Sequence, residues 1–176
     1  MVVALIHAFV TSSCSSVLVG LPLALTARLD QVLRCAAHLI GCIPKYASVL
    51  TFYSFLLSMR DTLHWPPIAQ RIAYWIAVLV WPCLLGSTPA YLCKLCRLVS
   101  GLPGWRTLHS SVTGQLLVPR AITATMQCHT FSIVGPSTWN GLPLEIHLLP
   151  KNNENAFCRL LKTDLYCRGW AGGTSE

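Results

Sequence analysis

Apolar residues recur at helical spacing in two clear stretches. Leu29, Val32, Leu33, Ala36 and Ile40 follow one another at three- and four-residue steps, with Arg28, Asp30 and Arg34 mostly on the opposite side. That stripe predicts an amphipathic helix, with Thr26 as its N-cap and Gly41, then Pro44, as its stop. Near the other end, Phe157, Leu160, Leu161 and Leu165 form one face and Arg159 and Lys162 lie on the other. Asn152, Asn153 or Asn155 caps this helix, and Gly169 with the Gly-Gly-Thr-Ser tail ends it.

Between these stretches the signals are mostly breakers and turns. Trp65-Pro66-Pro67 reads as extended chain leading into a helix, because a residue before proline avoids the helical region and Pro67 suits a first turn. That helix is predicted to run to about Leu85, ending or kinking near Pro82, where an interior proline costs about 3 kcal/mol. Gly86 to Pro89 is a loop, and a short helix follows from Ala90 to Leu98. Ser100 to Thr125 is rich in Gly, Ser, Thr and Pro without any period, and reads as loop or disorder. Thr130 to Val134 predicts a short strand, with turns at Gly135-Pro136 and Asn140-Gly141. Val2 to Val10 suits a helix, and Tyr46 to Met59 favours strand or irregular structure. The fold expected is mainly α: an incomplete helical domain with long loops and at most a short β element. Its divisions are a helical region over 1–99, a linker over 100–128, and a turn-rich segment with an amphipathic helix over 129–176.

Composition changes this picture in one respect. Apolar residues make up 53% of the chain and charged residues 11%, against about 25% charged in an ordinary soluble domain. Such a chain spans a membrane, covers its surface with a partner, or is poorly selected for solubility. No Lys, Arg, Asp or Glu occurs from Met1 to Ala27, long enough to span a bilayer. The positive flank of a signal sequence is missing, however, serines interrupt the run, and Pro22 breaks a helix there. The apolar stretch from Ile72 to Gly86 is shorter and reads as a buried core helix. An anchor in residues 1–27 is therefore the alternative, and an intracellular setting is favoured, with the nine cysteines reduced.

The chemistry of an active site is not visible. The acids are Asp30, Asp61, Glu145, Glu154, Asp164 and Glu176, no two of them closer than nine residues. Two-metal phosphoryl transfer and paired-carboxylate hydrolysis both need acids gathered around one centre. No nucleophile elbow, phosphate loop or zinc-protease motif occurs. No acid stands directly beside any of the six histidines. Cys93-Lys94-Leu95-Cys96 has zinc-type spacing, but Cys128 with His129 is the nearest second pair, and adjacent ligands fit a tetrahedron poorly. A zinc-stabilised interaction module is thus a second alternative. The expectation is no catalytic centre, no cofactor, no metal and no small-molecule substrate.

Several phrases, taken in order, point further. They are Leu63-His64-Trp65-Pro66-Pro67-Ile68 with Gln70-Arg71-Ile72, then Leu84-Leu85-Gly86-Ser87-Thr88-Pro89-Ala90-Tyr91-Leu92 and Leu116-Leu117-Val118-Pro119-Arg120. Next come Phe131 through Glu145, containing Gly135-Pro136-Ser137-Thr138-Trp139-Asn140-Gly141-Leu142-Pro143, and Phe157 through Leu165. Arg28-Leu29-Asp30 and Ile43-Pro44-Lys45 precede them. This ordered set resembles the C-terminal, thumb-like region of vertebrate LINE-type (non-LTR) retrotransposon reverse transcriptases, over nearly the whole chain. The resemblance implies a segment downstream of that family's polymerase aspartates, with a role in holding RNA or DNA.

Where that family commonly carries arginine, this chain has Cys35, His38, Cys42, Trp75, Trp105, His109, Cys128 and His129. Arginine codons beginning with CG change to Cys, His, Trp or Gln codons by C-to-T change on either strand. The resemblance therefore implies mutational decay and weakened phosphate contacts. The bases that remain to contact RNA or DNA, weakly, are Arg28, Arg34, Lys45, Arg60, Arg71, Arg97, Arg120, Arg159 and Lys162.

Overall fold

The computed structural model describes residues 18–40, 64–101, 114–121, 123 and 129–171. Over these the protein is mainly helical, with 68% helix, 2% strand and no sheet. The named helices are α1 (Leu23–Ile40), α2 (Ile68–Leu85), α3 (Ala90–Cys93), α4 (Phe131–Asn140), α5 (Leu144–His147) and α6 (Glu154–Ala171). The expectations for Val2 to Val10, for the Gly41 and Pro44 stop and for Tyr46 to Met59 lie outside the described residues.

Helix α2 is the axis of the fold and packs on α4, α6 and α1. By length and composition it is apolar enough to cross a membrane. Here Ile76, Ala77, Val80, Trp81 and Cys83 form its buried side. They meet Trp139 from α4, Ile146 from α5, and Phe157, Leu161 and Leu165 from α6. At the centre the Trp81 and Phe157 rings stack at 4.2 Å, with Trp139 6.1 Å from Phe157. Full burial of a side chain such as Leu161 or Phe157 contributes about 1.5–3 kcal/mol.

Helix α2 passes through Pro82 and continues to Leu85. The helix ends close to Pro82, as expected: Pro82 lies in its last turn, where a terminating motif takes over at once. Gly86 adopts φ 73°, its N–H donates to the Cys83 carbonyl at 3.3 Å, and Ser87 N–H donates to the Pro82 carbonyl at 3.1 Å. This pair of bonds around a left-handed glycine is the Schellman arrangement.

Four expectations need correction. Thr26 is not an N-cap: α1 begins at Leu23, directly after Pro22, and the Thr26 hydroxyl donates to the Leu23 carbonyl inside the helix. The helix predicted over Ala90 to Leu98 stops at Cys93. The strand predicted at Thr130 to Val134 is the start of α4, which runs through both Gly135 and Pro136. Gly135 is the crossing point with α2, since an added Cβ would lie 3.3 Å from Val80 Cγ2 and 3.1 Å from Phe131 Cε2. Packing of Ile133, Pro136 and Trp139 outweighs the local turn preference. Gly169 does not end α6, which continues to Ala171. An added Cβ there would meet Pro67 Cδ at 3.0 Å, so the glycine lets α6 approach the start of α2.

Part of the region read as loop, over 114–121, is held in place. Leu116 is 2% exposed and bridges Leu98 in antiparallel fashion. Val99 N–H donates to the Gln115 carbonyl and Leu117 N–H to the Arg97 carbonyl, at 3.0 and 2.8 Å. Asn140 completes the pairing from the other side: its Oδ1 accepts from Leu116 N–H and its Nδ2 donates to Leu116 O, both at 2.8 Å. One side-chain amide thus acts as a neighbouring strand, and this bridge is the short β element.

Candidate functional site

A smaller core joins α1 to the start of α2 and determines the site. Leu33 and Ala37 of α1 bury against Trp65 and Ile68. Asp30 belongs to the same stripe, at i, i+3 and i+7, and so points inward rather than to water. Its Oδ1 accepts a 2.9 Å hydrogen bond from Ile68 N–H. Pro67, the residue at the N-cap, makes no side-chain cap. Asp30 therefore caps α2 from 38 positions away and places a negative charge at the positive end of the helix dipole. Val32, assigned to the apolar face, is instead 62% exposed.

One turn into α2 stands Arg71. Burial pushes its guanidinium below the ordinary arginine value, and Asp30 pulls it partly back. It remains cationic, as arginine does in proteins. Asp30 is hydrogen-bonded to Ile68 N–H, so Arg71 is a partly desolvated cation in the field of a carboxylate that caps the helix. A cleft of about 500 Å³ opens beside it, with Arg71, Gln70, Tyr74 and Trp75 from α2 facing Lys162, Leu165 and Tyr166 from α6. His64, Trp65 and Pro66 also line it. That volume lies within the range of about 300–1,000 Å³ typical of ligand sites.

The cleft is lined by rings and cations. The His64 and Tyr166 rings stack at 6.0 Å with 28° between planes. Tyr74 and Trp75 meet edge to face at 5.5 Å, and Trp75 is 40% exposed. Burial raises the Tyr74 phenol above 10.0, with Cys158 of α6 adding to the shift. His64 has φ 51°, a left-handed backbone in a residue that is not glycine. Such strain costs about 1–3 kcal/mol and concentrates at ligand sites.

Of the nine basic residues named from sequence, the structure brings Arg71 and Lys162 to this cleft. Arg28 and Arg34 line a separate shallow groove on α1 with Gln31, Cys35 and His38. Arg97, Arg120 and Arg159 are exposed and do not line the cleft. Lys45 and Arg60 lie outside the described residues. Sequence reasoning missed His64, Tyr74, Trp75 and Tyr166. A signal was present: Arg71 precedes Trp75, and Lys162 precedes Tyr166, by four residues. That spacing sets a cation and a ring on one helix face, and it occurs on both walls of the cleft.

The cysteine motif has a different setting. Cys93 Sγ lies 3.1 Å from the Thr88 hydroxyl and 3.4 Å from the Thr88 carbonyl. Cys96 is 5% exposed, and its thiol is pushed up to about 12, by burial first and then by Cys83 and Cys93. Metals bind the thiolate, which this environment disfavours. Among the described residues no three His, Cys, Asp or Glu side chains could hold one ion; Cys128 lies outside them. His147 stacks on Trp139 at 5.1 Å, and its Nε2 donates to the Trp139 carbonyl at 2.8 Å, a structural role. Compared with protein-family models, with curated proteins and with solved structures, the chain matches none.

Proposed function

We propose that this chain is a non-catalytic remnant of a LINE-type reverse transcriptase, from beyond the polymerase active site, with weak residual affinity for nucleic acid. The observation that carries the affinity is the cleft in which Arg71 and Lys162 converge from two helices among aromatic rings. Two of the phrases behind the resemblance also touch: Asp30 of Arg28-Leu29-Asp30 caps the helix that begins after His64-Trp65-Pro66-Pro67.

Four of the six acids lie among the described residues, and Asp61 and Glu176 lie outside them. Asp30 caps α2, Asp164 pairs with Arg168 at 2.9 Å, and Glu145 and Glu154 occupy the first turns of α5 and α6. Each of these four has a structural place. Uncorrected costs support decay. Pro82 stands inside α2, and Trp81 Nε1, Trp170 Nε1 and Gln70 Oε1 are buried with no hydrogen-bond partner among the described residues. Each such atom costs about 1–3 kcal/mol.

The test is the salt dependence of RNA binding by the full chain. Single-stranded RNA should bind at low salt and release as salt rises, with a log–log slope of about −0.7 per phosphate contact. Replacing both Arg71 and Lys162 by alanine should make that slope shallower by about 1.4. Absence of RNA binding at low salt would overturn the affinity.

A further inference from the structure

We infer that the cleft between α2 and α6 takes one unpaired nucleotide of a single strand, its base stacked on Trp75 and its phosphate held by Arg71 and Lys162. This rests on the nucleic-acid reading above and deepens it. Charge alone binds any phosphate backbone, paired or not, and carries no preference for a base. The cleft adds what a base requires: flat apolar faces next to the cations. Trp75 offers an indole 40% exposed to solvent. Tyr74 meets it edge to face and fixes its plane at 78° to its own ring. Across the cleft, Tyr166 is stacked with His64, which also lines it.

The cations are placed to match. Arg71 and Trp75 share one face of α2, and Lys162 and Tyr166 share one face of α6, so each wall offers a charge about one helical turn from a ring. Arg71 is partly desolvated, which strengthens its attraction for an anion. A cavity of about 500 Å³ is large enough for one nucleotide but too small for a duplex. Stacking tolerates any base, so the inference is for unpaired nucleotides as a class.

The test compares three probes on the full chain at one low salt concentration: a short single-stranded oligouridine, an abasic ribose-phosphate chain of equal length and charge, and an RNA duplex. Oligouridine should bind about tenfold more tightly than the abasic chain. Trp75→Leu should remove that advantage while leaving abasic-chain binding unchanged, and Trp75→Phe should keep part of it. Trp75 is outside the buried core, so its replacement leaves the packing of Trp81, Trp139 and Phe157 in place. Equal binding of all three probes, or equal weakening of oligouridine and abasic chain by Trp75→Leu, overturns the inference and leaves charge-driven affinity standing. If no probe binds, both the inference and the reading beneath it fail.

Discussion

Cys96 lies 5% exposed beside Cys83, with Cys93 close enough to raise its thiol further, to about 12 from an ordinary 9.0. A raised value in the folded state means that the folded chain holds the proton after the unfolded chain has lost it. Stability is therefore complete below about pH 9 and falls as pH rises toward 12. Tyr74, raised by burial, adds to the same slope from about pH 10. Urea unfolding measured across this window should show stability declining with pH, and Cys96→Ala should flatten the decline. An unchanged slope in the variant would remove Cys96 as its cause. At this scale the sequence was legible where a residue acts locally. Asn153, named among three candidates, caps α6 by accepting from Ala156 N–H at 3.0 Å. Asp30 was misplaced, because a charged residue on an apolar stripe looks like an error of spacing until its distant partner, Ile68 N–H, is known. Leu160 was also misplaced, at 42% exposed. It stands at the edge of the stripe, and α2 covers only the Phe157, Leu161 and Leu165 side.

At the scale of the element, Pro82 and Gly86 stand four residues apart with opposite effects. Pro82 lacks the N–H that would bond the Val78 carbonyl. Pro82→Ala should stabilise the fold by about 1–3 kcal/mol, less the entropy that proline removes from the unfolded chain. Gly86→Ala should destabilise by about 1 kcal/mol. The cause is φ 73° alone, since no atom lies within 4 Å of an added Cβ. Midpoints of urea unfolding for the two variants should move in opposite directions, and movement in the same direction would refute this account of the helix end. Helix α2 was legible from its Trp65-Pro66-Pro67 entry, its apolar run and the Gly86 stop, and α6 from its stripe and its Asn153 cap. Helix α4 was not, because Gly135 and Pro136 are local breakers that this chain uses for a close crossing. The Leu116 segment was hidden for a related reason. Its hydrogen bonds go to Arg97, Val99 and Asn140, all distant in sequence, so no periodicity marks it.

At the scale of the whole molecule, the described residues pack into two cores of different size. The larger gathers α2, α4, α5 and α6 around Trp139 and Phe157. The smaller holds α1 through Leu33, Ala37, Trp65 and Ile68, with Trp170 alongside. A helix held by few buried side chains opens at lower free energy than one at the centre. Amide hydrogen exchange should therefore be faster in 23–40 than in the buried turns of 68–85 and 154–171. Equal protection of α1 and α6 would mean that the two cores open together. Because Asp30 travels with α1, such an opening also takes the capping carboxylate away from α2 and its negative field away from Arg71. The mainly α class was readable from stripes and caps. The cleft was not, because it is formed by bringing two cation–ring pairs together across a long stretch of chain.

The ring stack at the centre has an optical consequence. The Trp81 and Trp139 indoles lie 6.2 Å apart with 36° between their planes, and Phe157 stacks 12° from parallel on Trp81. Held in that fixed, handed arrangement, the indoles give circular dichroism in the near ultraviolet, which vanishes when packing loosens even if helices persist. Each ring comes from a different helix, so the part of that dichroism which Trp81→Phe or Trp139→Phe removes reports the joint docking of α2, α4 and α6.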